Sequence, residues 1–187
     1  MYLRRLPLAL AVIAQLAGCS VIGHNTPQLA DPGAIDYVLG PGDRLRVTVY
    51  ANEESTTEAT INDRGMVTTP IAGEMQATGL TLSQFETQLD GKLKANFLRN
   101  PRVAIEITAY RPFYILGEVT KPGGYPYAPG LTVLGAVALG GGYSYRADKD
   151  QVTITRSYGA TKPQEGTELP AGRVLPDDVI RVPERMF

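Results

Sequence analysis

The chain has 187 residues, with 18 Lys and Arg against 19 Asp and Glu, and 43% of it is hydrophobic. A near-neutral balance with no Lys/Arg cluster excludes a protein that binds a nucleic-acid backbone, because such proteins concentrate cations to displace counterions. One Cys and one His exclude an intrachain disulfide and a zinc site of paired Cys and His, and the length suits one or two small cores.

The chain opens with Arg4 and Arg5 and then "LPLALAVIAQLAG". An apolar run of about a dozen residues has the length of a signal-peptide h-region and falls short of the roughly 20 residues of a membrane span. It closes on Leu16-Ala17-Gly18-Cys19, which resembles the lipobox of bacterial lipoproteins. That resemblance implies cleavage between Gly18 and Cys19, a diacylglycerol thioether on the Cys19 thiol, and acylation of the freed amine. A Cys buried in a leader helix is the alternative. Each buried CH₂ contributes about 0.8 kcal/mol, so two or three chains would hold the protein on a membrane. Ser20 stands where an inner-membrane retention signal has Asp, which points to the outer membrane, with the protein facing the periplasm. Residues 1–18 then form the signal peptide. Residues 19–35 form a flexible tether, rich in Gly, Pro, Asn and Asp without periodicity. His24 lies on that tether, which argues against a catalytic or metal-binding role.

Order is expected from residue 36. "DRLRVTVY" alternates Leu45, Val47 and Val49 with polar residues, the period of a half-buried strand. "ATINDRGMVTTP" reads as two strands around an Asn62–Gly65 turn, as in a tight hairpin. Residues 81–98 carry Leu82, Phe85, Leu89, Leu93 and Phe97 at helical spacing. Thr81 with Gln84, or Ser83 with Glu86, supplies a capping box. Gly91 weakens this helix, Asn100-Pro101 stops it, and "RVAIEITAY" alternates as a strand.

Arg111-Pro112 separates a second block. "FYILGEV" reads as a strand and "TKPGGYPYAPG" as a turn-rich crossing. "LTVLGAVALGGG" reads as a short helix ended by glycines, and "QVTITR" as a strand. The closing "VLPDDVIRV" echoes "VLGPGDRLRV" near the start: both set an acidic turn before an alternating strand. The last strand is expected to return to the first domain. The fold class is α+β, with a small α/β domain at 36–110 and a second domain at 111–187.

No residue set suits catalysis. There is no G-x-S-x-G elbow, a single His on a tether cannot serve a triad, and no Cys/His/Asp spacing suits a metal. "LGGGY" follows a helix, so helix termination explains it better than a phosphate cradle. No enzyme activity and no cofactor are expected. Tyrosine is abundant at 10 residues with no Trp. Tyr110, Tyr114, Tyr125, Tyr127, Tyr143 and Tyr145 crowd one window, where packing is the ordinary role. "YSYRADKD" follows three glycines, which makes Tyr143, Tyr145 and Arg146 the candidate contacts to a glycan or a neighbouring subunit.

"DYVLGPGDRLRVTVY" with "INDRGMVTTPIAGEMQATGLT" and "NPRVAIEIT" resembles the polysaccharide export domain of outer-membrane polysaccharide export lipoproteins. "FYILGEVTKPGGYPYAPGLTVLGAVALGGGYSYRADKDQVTITR" is similar to their soluble-ligand-binding β-grasp (SLBB) domain, through Gly117-Glu118-Val119, Lys121-Pro122-Gly123 and Gly140–Gly142. The resemblance implies export of capsular polysaccharide or exopolysaccharide without chemistry. It also implies a homo-oligomeric ring of lipid-anchored subunits, the polysaccharide chain as cargo and an inner-membrane polysaccharide co-polymerase as partner. Nothing in "IRVPERMF" matches the C-terminal amphipathic pore helix of larger members, so a short class that works with a separate outer-membrane barrel is expected. The alternative is a periplasmic glycan-binding or scaffold lipoprotein that translocates nothing.

Overall fold

The computed structural model describes residues 36–50, 54–96, 101–157, 162–168 and 170–186. The signal segment, Gly18, Cys19 and His24 lie outside the described residues.

The first unit is built on an antiparallel sheet of β1 (Arg44–Tyr50), β2 (Glu54–Thr60) and β5 (Arg102–Ala109), in the order β2-β1-β5. Alternation in β1 sends Leu45, Val47 and Val49 inward, where they share a core with Phe85, Leu89 and Leu93 of α1 (Leu82–Asn96). The opposite face is wet. Arg46 reaches Glu58 at 3.0 Å and Glu106 at 3.6 Å across the two neighbouring strands. These side chains stay largely exposed, so such pairs contribute at most about 1 kcal/mol each.

Helix α1 starts on a reciprocal capping box. Thr81 Oγ1 accepts the Gln84 N–H at 3.2 Å, and Gln84 Oε1 accepts the Thr81 N–H at 2.9 Å. The pair Thr81–Gln84 therefore sets the helix start. Phe97, expected on the same helix, lies outside the described residues.

The Asn62–Gly65 turn forms, with Asn62 Oδ1 accepting the N–H groups of Arg64 and Met66 at 3.1 and 2.9 Å. It does not close a hairpin between its flanking strands. β2 runs for seven residue pairs along β1, while β3 (Met66–Thr69) pairs with β4 (Gly73–Gln76). Ile61, buried at the end of β2, donates its N–H to the Asp43 carbonyl at 2.9 Å. The chain is thus drawn along β1 before it turns.

The second unit holds β6 (Phe113–Gly117), β7 (Gly123–Tyr125), α2 (Val133–Leu139), β8 (Thr153–Arg156), β9 (Gln164–Thr167) and β10 (Val179–Val182). The sheet order is β7-β6-β10-β8-β9, with β10 parallel to β6 and antiparallel to β8. Val133, Ala136 and Val137 of α2 pack with Phe113, Ile115, Ile154 and Ile180. Thr132 caps α2 by accepting the Gly135 N–H at 3.2 Å. Gly141 and Gly142 end it with φ near 80° and 87°, a region open to glycine at little cost.

The closing strand departs from expectation. β10 does not join the first sheet. It occupies the centre of the second, because Ile180 and Val182 complete that unit's core. β7 lies inside the crossing read as turn-rich, and the polar β9 has no apolar alternation to announce it.

Candidate functional site at the junction of the two units

The two echoing segments fold into the same device. Gly40-Pro41-Gly42-Asp43 and Leu175-Pro176-Asp177-Asp178 each form a turn closed by an N–H of the fourth residue on the carbonyl of the first, at 3.2 Å in both. Proline presets φ at the second position, and the third is left-handed in both: Gly42 at 93° and Asp177 at 66°. The fourth residue, an Asp with no exposed surface, folds back onto the first N–H: Gly40 to Asp43 Oδ2 at 2.9 Å, Leu175 to Asp178 Oδ2 at 2.7 Å.

Each buried carboxylate has an arginine. Arg156 gives Asp178 contacts at 3.0 Å from Nε and 2.7 Å from Nη2. Burial pushes the Asp178 carboxyl above its ordinary value, against the opposing pull of Arg156 and the Leu175 N–H. The Asp43 carboxylate takes the Tyr37 hydroxyl at 2.8 Å and the Arg111 N–H at 3.1 Å, with Arg111 Nε at 3.5 Å.

Arg111 also reaches the other turn, with Nη1 3.1 Å from Asp177 Oδ2. The Asp177 N–H donates to the Pro112 carbonyl at 3.0 Å. One guanidinium therefore touches an acidic turn from each unit. Tyrosine rings continue the contact edge to face: Tyr37 on Tyr110 at 5.0 Å, and Tyr110 on Tyr127 at 5.4 Å. A cleft of about 220 Å³ opens beside this cluster, lined by Gly40, Thr78, Gly79, Arg111, Ser157 and Asp177 among others.

Of the expected contact residues, Tyr145 projects with 89% of its surface exposed. Arg146 is also at the surface and ion-paired with Glu184. Tyr143 faces inward. It packs against the second core and its hydroxyl is buried with no hydrogen-bond partner, so the structure separates it from the other two. Burial and nearby Asp150 raise its phenol above the ordinary value. Among the described residues no group of three or more His, Cys, Asp or Glu could hold a metal ion. None of their helices is long and apolar enough to cross a membrane.

Sequence reasoning recorded the echoing turns but missed that one arginine joins them. Arg111 read only as a separator, because nothing local to "YRPF" reports contact with residues 68 positions earlier.

Burial, followed by the Asp43 carboxylate, drives the Tyr37 phenol far above its ordinary value of 10. Tyr110 shifts the same way for the same two reasons. A raised pKa in the fold means that the unfolded chain loses those protons first. The stabilisation is intact below about pH 10 and is lost as pH climbs further. The melting temperature is thus expected to fall from about pH 10 upward, and Tyr37→Phe to flatten that fall. A melting series across pH 8–11.5 measures both, and an unchanged slope in Tyr37→Phe would contradict the assignment.

Comparison with known proteins gives two family matches. Residues 31–108 match the family model described as polysaccharide biosynthesis/export protein, and residues 112–168 match the SLBB domain. The exopolysaccharide production protein ExoF of Rhizobium meliloti (strain 1021) is 41% identical over 132 residues, covering 63% of this chain and 31% of that protein. A polysialic acid transport protein, KpsD of Escherichia coli, is 24% identical over 143 residues, covering 73% of this chain and 25% of its own length. The chain thus spans less than a third of these relatives.

Proposed function

We propose that this chain, in which a match to the polysaccharide biosynthesis/export family is followed by a match to the SLBB domain, is a lipid-anchored subunit of a capsular or exopolysaccharide export complex. The observation that carries this reading is the pair of matched domains in this order, joined through one polar junction. The names of two relatives, one for exopolysaccharide production and one for polysialic acid transport, support it.

In this reading the protein moves polymer and makes no bond. Its work is positional: Cys19 fixes it to the outer membrane on the periplasmic side, and the two units form part of a wall around the polysaccharide chain. Assembly into a homo-oligomeric ring follows from edge chemistry. β2 and β5 are the edges of the first sheet. Edge strands present backbone groups that a neighbour's strand satisfies, and a head-to-tail contact closes when its rotation allows. Tyr145 and Arg146 offer a contact surface to the glycan or to a neighbouring subunit. An inner-membrane co-polymerase would deliver the polymer, and a separate outer-membrane barrel would complete its path.

The exposed Tyr145 ring also fits a second reading, a periplasmic glycan-binding or scaffold protein that translocates nothing. Deletion separates the two. Loss of the gene is expected to abolish surface and secreted polysaccharide, with restoration by the intact chain and not by Cys19→Ser, whose product stays unacylated. A deletion strain with normal polymer secretion overturns the export reading, and acylated Cys19→Ser overturns the anchor.

A further inference from the structure

The two junction turns differ at one instructive position. The left-handed third residue is glycine in the first turn, where that backbone is free of strain. In the second it is Asp177 at φ 66°, the only non-glycine residue with positive φ among those described. Asp tolerates this region better than most residues but less well than Gly. A strained residue kept where an unstrained one would fold is a pointer to what its side chain does. The Asp177 carboxylate meets Arg111 Nη1 at 3.1 Å, and Arg111 is held on its other side by Asp43 of the first unit.

We propose that Asp177 and Arg111 form a latch that sets the angle between the export domain and the SLBB domain, with Asp177 as a positioning residue for polymer export. Three features support a designed fit. The Arg111 guanidinium lies directly on the backbone at Gly40, where an added Cβ would stand 2.2 Å from Nη1. Arg111 retains little surface, with 12% of its side chain exposed, whereas Asp177 retains 43%. The Asp43 side of the contact is therefore buried, and the Asp177 side is accessible and can open. The Asp177 N–H bond to Pro112 ties the turn that leads into β10 to the connecting segment, so the carboxylate and the backbone of one residue both hold that segment. β10 is the central strand of the second sheet, so motion of its turn is transmitted to that whole unit.

This role rests on the export reading, and one variant set keeps the two apart. Asp177→Gly removes the carboxylate and relieves the backbone at once. Full-length Asp177→Gly protein is expected to melt at or above the wild-type temperature. Its Arg111 and Asp177 amides should exchange hydrogen at least tenfold faster, and a strain carrying it should export several-fold less polymer. A residue that served only stability would not separate those readouts. Asp177→Asn keeps the left-handed preference without the charge and is expected to behave like Asp177→Gly. Gly40→Ala, which displaces Arg111 from the opposite side, should loosen the same amides. Wild-type exchange and export in Asp177→Gly, in a background where deletion abolishes export, overturns the latch. Wild-type behaviour of Asp177→Asn overturns the ion pair as its basis. If deletion itself leaves export normal, the export reading fails, while the exchange measurement still decides whether the latch exists.

Discussion

Asp178→Ala is expected to destabilise the protein by about 3–5 kcal/mol, the usual consequence of leaving one member of a buried ion pair alone. Asp178 has no exposed surface and Arg156 keeps only 7%. Removal of the carboxylate strands the guanidinium, with the Arg173 carbonyl at 2.7 Å still on Nη2, and leaves the Leu175 N–H without its acceptor. A loss of that size is a large share of the about 5–15 kcal/mol that ordinary domains possess. Urea denaturation of the purified variant measures it. The double replacement Asp178→Leu with Arg156→Met should recover part of the loss, because two apolar partners leave no buried charge while the Leu175 N–H still lacks its acceptor. A loss below about 1 kcal/mol in Asp178→Ala would refute the buried pair as a structural keystone.

Gly117→Ala is expected to be comparably severe. Gly117 has φ +88°, and a Cβ built there stands 2.1 Å from the Val182 carbonyl oxygen. That oxygen accepts the Glu118 N–H at 2.9 Å, at the point where β6 and β10 run side by side. Left-handed strain costs about 1–3 kcal/mol, and forced displacement of packed groups about 1–3 more. The central strands must part or the turn must rebuild. Gly91→Ala is the matching control: nothing lies within 4 Å of its added Cβ on α1. It should stabilise by about 0.5–1 kcal/mol through helix propensity. Thermal melts of the two variants are expected to move in opposite directions. Equal melting temperatures would show that contact geometry at Gly117 does not govern the fold.

The strands and helices whose signal is periodic were legible. Leu45, Val47 and Val49, and the Phe85–Leu89–Leu93 stripe, report which face is buried because alternation and helical spacing are local properties. Partners were not legible. "ATINDRGMVTTP" reads as a hairpin, yet β2 prefers seven pairs with β1, an energy that no window of a dozen residues contains. The last strand reads like the first and is expected back at the first domain, yet it pairs within the second sheet. The echo instead marks the same turn used once in each unit. The candidate site was half visible: both acidic turns could be seen, but the arginine that joins them carries no local signature. Tyr143 and Tyr145 stand two residues apart in one loop, and only the tertiary packing sends one ring inward and the other out.

The central place of β10 has a consequence for how the chain is made. Sheets are commonly assembled from neighbours in sequence, but here the middle strand of the second unit is supplied after all its companions have been synthesised. Phe113–Gly117 cannot acquire its parallel partner until residues 179–182 have been synthesised. Pairing across so long a stretch of chain is slow relative to local folding. The second unit therefore stays open until Val179–Val182 is available to pair, and closes only then.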